Sequence, residues 1–221
     1  MAIVVAISDI HGKLPAIPAC QVLLIAGDIC PTCWPPQQAE WLQGPFRDWL
    51  DRIPAQEVVA VAGNHDRIFE KAPHLVPRLR WHYLQDQSAK LFGLTIYGTP
   101  WQLRFHDWAF NLDEPELAVK FAAIPEGTDI VVSHSPPFGF GDLAPRSGGG
   151  EHIGSPSLRK RLLEIRPRLS VFGHIHEGRG VYNQDGVVLA NVTVVNRAYE
   201  LAHEPMIFEV EPTVYDDEPT E

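Results

Sequence analysis

Five short polar motifs recur along the chain, most of them directly after an apolar run rich in β-branched residues. They are Asp9-x-His11, Gly27-Asp28, Gly63-Asn64-His65-Asp66, Ser133-His134-Ser135 and Gly173-His174-Ile175-His176. A chain with this pattern is constrained to a sheet that delivers nitrogen and oxygen donors to one edge. The apolar runs cover residues 3–7, 22–26, 58–62, 94–98, 130–132, 169–172, 187–195 and 206–210. The early ones are continuous, as in strands buried on both faces. Helical patterns lie between them: 37–50, with Trp41, Leu42, Phe46, Trp49 and Leu50 on one stripe, then 116–123 and 155–165. Ser155-Pro156 suits the cap and first turn of the last of these. Strands alternating with helices predict an α/β core, and the late strands, which lack helices between them, predict an antiparallel portion.

The donor residues fit metal binding. Asp9 and His11 are two apart at a strand end, so both can reach one ion. Asp28 has two oxygens and can bridge two ions, and Gly27 before it allows close backbone approach. Asn64 offers a neutral amide oxygen. His174 and His176 repeat the two-residue spacing, and His134 adds another imidazole. One histidine alone is more often a surface or satisfied core residue, but five motifs in order exclude coincidence. The set reads as a two-metal site for phosphate ester hydrolysis.

Charge and composition narrow the function further. With 18 Lys and Arg against 28 Asp and Glu, the formal net charge is −10, which disfavours duplex nucleic acid and anionic membranes as partners. The expectation is one domain over residues 1–210 with a frayed acidic tail at 211–221, no signal peptide and no membrane span. Cys20, Cys30 and Cys33 are too few for a disulfide scaffold, which points to the cytoplasm. The spacing Cys30-x-x-Cys33 fits two small loop residues, a redox pair or an accessory zinc pair.

The motifs resemble those of the calcineurin-like metallophosphoesterase superfamily over roughly residues 3–210. A closer resemblance is to its small phosphodiesterase branch, which includes the brain-expressed metallophosphoesterase-domain proteins. That similarity rests on residues 61–66, on Trp108-Ala109-Phe110-Asn111, on Ile124-Pro125-Glu126-Gly127 and on residues 171–178. It implies a sandwich of two mixed β-sheets flanked by helices, with metals at the strand ends. It further implies that Asp9, His11, Asp28 and His176 hold one ion, and Asp28, Asn64, His134 and His174 the other. His65 would face the phosphate and the leaving group as general acid, with Asp66 orienting it. Imidazole and carboxylate without thiolate suit Mn²⁺, Fe²⁺/Fe³⁺ or Zn²⁺. Two ions that share a water would activate it for in-line attack, and their charge of +4 against −2 from Asp9 and Asp28 would attract a phosphate ester.

Two loops look purposeful. The glycine-rich stretch 136–155 follows His134 and reads as mobile connection or substrate-contacting lid; the aromatic stretch 101–111 follows a Gly-Thr-Pro turn. His74, His82, His106, His152 and His203 lie outside the metal set, and only His152 joins Asn64 and His65 as an expected substrate contact. Protein phosphatases of the superfamily carry an arginine after the second strand to bind a phosphate dianion. Here that segment is Gly27-Asp28-Ile29-Cys30-Pro31-Thr32-Cys33. The expected activity is therefore hydrolysis of small phosphodiesters, cyclic nucleotides among them, with a phosphomonoesterase as the alternative.

Overall fold

The computed structural model describes residues 1–146 and 149–212. Gly148 and most of the acidic tail lie outside them. Strands β1 (Ala2–Ile7), β2 (Cys20–Ala26), β3 (Ala55–Val61) and β4 (His82–Tyr83) run parallel in one sheet. The second sheet is built from β5 (Gln87–Leu91), β6 (Leu94–Thr99), β9 (Ile130–Ser133), β12 (Leu169–Phe172), β13 (Gly180–Gln184) and β14 (Val187–Asn191). Between these in sequence come the short pair β7 (Gln102–Leu103) and β8 (Asn111–Leu112), and the hairpin β10 (Leu143–Arg146) and β11 (Gly149–His152). β15 (Met206–Val210) closes the first sheet antiparallel to β1. In the second sheet β6, β9, β12 and β14 are parallel, while β5 and β13 are antiparallel edges. Both sheets are mixed, as the resemblance implied.

Three apolar layers hold the sandwich together. Val4, Ala6, Val22, Leu24, Val59 and Val61 of the first sheet meet Ile96, Ile130, Val132, Val171 and Ala190 of the second. The outer face of the first sheet packs Val5, Leu23, Ile25 and Val58 on Leu42, Phe46, Trp49 and Ile68. Those come from a π-helical stretch Leu42–Phe46, α2 (Arg47–Leu50) and α3 (Arg67–Lys71), with Ala39 added from α1 (Pro35–Trp41). The outer face of the second sheet packs Val131, Phe172 and Leu189 on α4 (Glu114–Ala122) and α5 (Pro156–Ile165). Each central strand is thus buried on both faces, which is why its sequence is an unbroken apolar run.

Several expectations need correction. The single helix over 37–50 is interrupted, because Pro45 has no N–H for the helical ladder and the backbone widens there into the π stretch. Ser155 caps α5 as expected, its hydroxyl accepting from Leu158 N. The strand expected over 187–195 ends at Asn191; residues beyond it cross to the first sheet, where Ser8 N donates to Val192 O and Val194 N to Ser8 O. Glu209 and Val210 are the last residues of β15. Among the described residues no helix is long and apolar enough to cross a membrane.

Candidate metal centre

All five motifs lie just past the C-terminal ends of parallel strands, β1, β2 and β3 from one sheet and β9 and β12 from the other. The backbone there is unusual. Asp9, His11, Asp28 and His174 have φ of 58°, 41°, 51° and 69°. Asp and His tolerate this left-handed region better than most residues, yet each such position costs on the order of 1–3 kcal/mol. Four at one strand edge mark a place where side-chain placement outweighs backbone comfort. Close approach needs glycine as well: a Cβ on Gly173 would collide with Asp9 Oδ2 and Ser8 Oγ.

The structure brings seven donor residues together. Asp28 Oδ2 lies 3.5 Å from both His11 Nε2 and His134 Nε2, so this carboxylate sits between two groups of donors. On one side His176 Nε2 is 3.6 Å from Asp9 Oδ1, and Asp9, His11 and His176 can converge on one point. On the other, Asn64 Oδ1 is 2.9 Å from His134 Nε2 and 3.0 Å from His174 Nδ1. Partners behind the ring orient them: His134 Nδ1 faces Ala26 O at 3.0 Å, and His176 Nδ1 faces Asn196 O at 3.2 Å.

A cation fits this set. Both ring nitrogens of His11 are buried without a hydrogen-bond partner. Burial pushes His11 down to about 3 despite the pull of Asp9, and burial takes His174 to about 3. Both imidazoles are therefore neutral lone-pair donors, as ligands must be. Burial raises the Asp9 carboxyl, but the His176 hydrogen bond and the charges of His134, His176 and His11 outweigh it and leave Asp9 below the usual range. Asp28 is pushed up to about 8 by burial, with His65 opposing and Asp66 and Asp9 reinforcing. A cation beside Asp28 supplies the charge that would release its proton.

His65 and Asp66 do not pair as the resemblance implied. Asp66 is fully buried, and its oxygens accept from Ile29 N at 3.0 Å, Cys30 N at 2.7 Å and Gly63 N at 2.8 Å. The ring of His65 instead has Nδ1 at 2.8 Å from Thr32 Oγ1 and Nε2 at 3.9 Å from Asp28 Oδ2. Geometry alone also lets His65 converge with His11 and Asp28 on one point. The Cys30-x-x-Cys33 pair is a pair of free thiols, Cys30 buried and Cys33 partly so. Burial lifts the Cys30 thiol well above its ordinary value, with Asp66 adding to it, which keeps it in the unreactive thiol form.

A cavity of about 430 Å³ opens over the centre, walled by His65, Phe105, Trp108, Arg197 and Tyr199. Phe105 and Trp108 come from the aromatic loop. Arg197 and Tyr199 were missed in the sequence, where no apolar run or motif marks them. Tyr199 lays its ring edge-on to His11 and His176, with centroids 4.7 and 5.1 Å away. His152 stands apart from the donors, half-exposed, with Nδ1 2.7 Å from the buried Asp142, but it shares a neighbouring cavity with His174. The glycine-rich stretch that carries it includes the antiparallel pair β10 and β11.

A model of the calcineurin-like phosphoesterase family matches residues 3–178. The chain is 31% identical to metallophosphoesterase domain-containing protein 1 of Homo sapiens over 235 residues, 93% of this chain and 70% of that protein. Among solved structures, TT1561 of Thermus thermophilus superposes with a TM-score of 0.57 at 13% identity, covering 86% of this chain and 88% of that one. Phosphopantetheinyl hydrolase of Mycobacterium tuberculosis gives 0.55 at 16% identity, covering 89% and 90%. At those identities the two structures speak for the fold alone.

Proposed function

The chain belongs to the calcineurin-like phosphoesterase family, a family of metal-dependent hydrolases of phosphoesters, and on that premise we propose that it is a dinuclear phosphodiesterase acting on small diesters, cyclic nucleotides among them. The observation that carries the reading is Asp28, a buried carboxylate equidistant from His11 and His134 and hence between two donor groups. Asp9, His11, Asp28 and His176 would hold one ion, and Asp28, Asn64, His134 and His174 the other. Two such ions, Mn²⁺, Fe²⁺/Fe³⁺ or Zn²⁺ by the donor chemistry, supply Lewis acidity toward the phosphoryl oxygens and a water acidified toward neutrality.

The chain's own groups do the rest. His65 turns Nε2 toward the centre, where it can give a proton to the departing alkoxide. Asn64 orients the phosphoryl group, and His152, braced by Asp142, contacts substrate from the adjoining cavity. The net charge of −10 disfavours duplex nucleic acid and membrane surfaces, and the free cysteines fit a cytoplasmic setting.

One observation favours the monoesterase alternative. Although no arginine follows Asp28, Arg197 reaches the cavity wall, its Nε 3.7 Å from Glu177 Oε1. An arginine freed from that pair could meet a dianion. Hydrolysis of matched nitrophenyl diesters and monoesters with Mn²⁺, Fe²⁺ and Zn²⁺ separates the readings. Faster diester turnover is expected; equal or faster monoester turnover would transfer the assignment to the alternative.

A further inference from the structure

His65 is gripped at an edge and over a face. Thr32 Oγ1 lies 2.8 Å from Nδ1, and the Trp108 ring lies against the imidazole with centroids 4.2 Å apart. An aromatic face packs almost equally well on the two ring orientations related by a half-turn, since carbon and nitrogen edges have the same shape. Only a hydrogen bond tells Nδ1 from the carbon opposite it. We propose that the Thr32 hydroxyl is the positioning group of His65, fixing the ring orientation and tautomer that turn Nε2 inward to Asp28 and the substrate. The inference rests on His65 being the proton donor assigned above.

Thr32 is itself exposed, but buried groups hold its loop in place. Asp66 ties down Ile29 N and Cys30 N on the loop after β2 and Gly63 N on the loop after β3. Gln38, fully buried, donates Nε2 to Pro31 O at 3.1 Å and to His65 O at 2.7 Å, and accepts from Ile68 N at 2.9 Å. The two loops are thereby joined across the α1 N-terminal turn, and the backbone sets the distance from Thr32 to His65. Proton transfer from Nε2 leaves Nδ1–H donating to the hydroxyl, so the partner is satisfied before and after the step. A hydroxyl also adds no negative charge beside the substrate. Asp66 therefore acts on His65 at one remove, by shaping the loop that presents Thr32.

The test compares Thr32→Val, which removes the hydroxyl at nearly constant shape, with Thr32→Ser, which keeps it. In Zn²⁺-loaded protein with ¹⁵N-labelled histidines, long-range ¹H–¹⁵N spectra read the His65 tautomer without reference to turnover. One fixed tautomer is expected in the wild type and in Thr32→Ser, and a mixture in Thr32→Val. Thr32→Val should slow a diester with an alkyl leaving group roughly 5- to 10-fold, the worth of one neutral hydrogen bond. Little change is expected with a nitrophenyl leaving group, and no further loss when Thr32→Val is added to His65→Asn. An unchanged His65 spectrum in Thr32→Val, or losses that multiply in the double variant, would overturn the positioning role. Equal losses in His65→Asn for alkyl and nitrophenyl diesters would instead remove the acid role, and the spectra would still decide whether Thr32 orients the ring.

Discussion

Asp66 takes three backbone N–H groups with two oxygens in a fully buried position. Asp66→Ala strands those donors, so it should cost roughly 3 kcal/mol or more of stability. Denaturant unfolding of the variant checks this, and His65→Asn should unfold near the wild-type midpoint. The metal-free protein should also lose stability as pH rises from about 7 to 8. Asp28, pushed up to about 8 by burial, keeps its proton in the folded chain while the unfolded chain has lost it above about 4. His176 adds to this: burial lowers it, but the Asp9 hydrogen bond and the charges of Asp9 and Asp28 raise it overall. His11 and His174, held near 3 by burial, oppose this only where their unfolded imidazoles still carry protons, so above about pH 7 the folded state binds more protons and stability falls as pH increases. Metal loading replaces those protons with cations, so the slope should flatten or reverse in unfolding midpoints measured with Mn²⁺ present. The seven donors were legible as residue types at strand ends. The partner of His65 was not, because adjacency to Asp66 suggests a pair whereas the real contact spans 33 positions to Thr32.

At the scale of elements, the site depends on how closely β12 ends against β1. His174 N donates to both Asp9 oxygens, at 3.0 and 3.1 Å, across that junction. Gly173→Ala places a methyl group against Asp9 Oδ2 and Ser8 Oγ, so it should weaken metal binding at least tenfold while leaving the cores intact. Calorimetric titration with Mn²⁺ and a thermal melt of the metal-free form check both halves. Central strands were readable because burial on both faces makes them continuous apolar runs. The edge strands β5 and β13 were not: β5 reads Gln-Ser-Ala-Lys-Leu and β13 Gly-Val-Tyr-Asn-Gln, half wetted and polar enough to pass for loops. The β10–β11 hairpin was hidden the same way, its glycines and exposed side chains resembling a linker.

Over the whole molecule, two sheets share one purpose. Each contributes strand ends to the same edge, and the crossing at Ser8 and Val194 ties those ends together while an apolar layer fills the space between the sheets. On the proposed reading an acidic protein still attracts a phosphate ester there, because two divalent ions would outweigh Asp9 and Asp28 locally. That claim is tested most directly by titrating the metal-free chain with Mn²⁺ while following bound metal and hydrolysis of bis(p-nitrophenyl) phosphate, with Asp28→Ala alongside. The expected result is two ions per chain, full turnover only when both are bound, and an Asp28→Ala variant that melts cooperatively but is slower by several orders of magnitude. Full turnover with one ion per chain, or near-normal turnover in Asp28→Ala, would contradict the assignment.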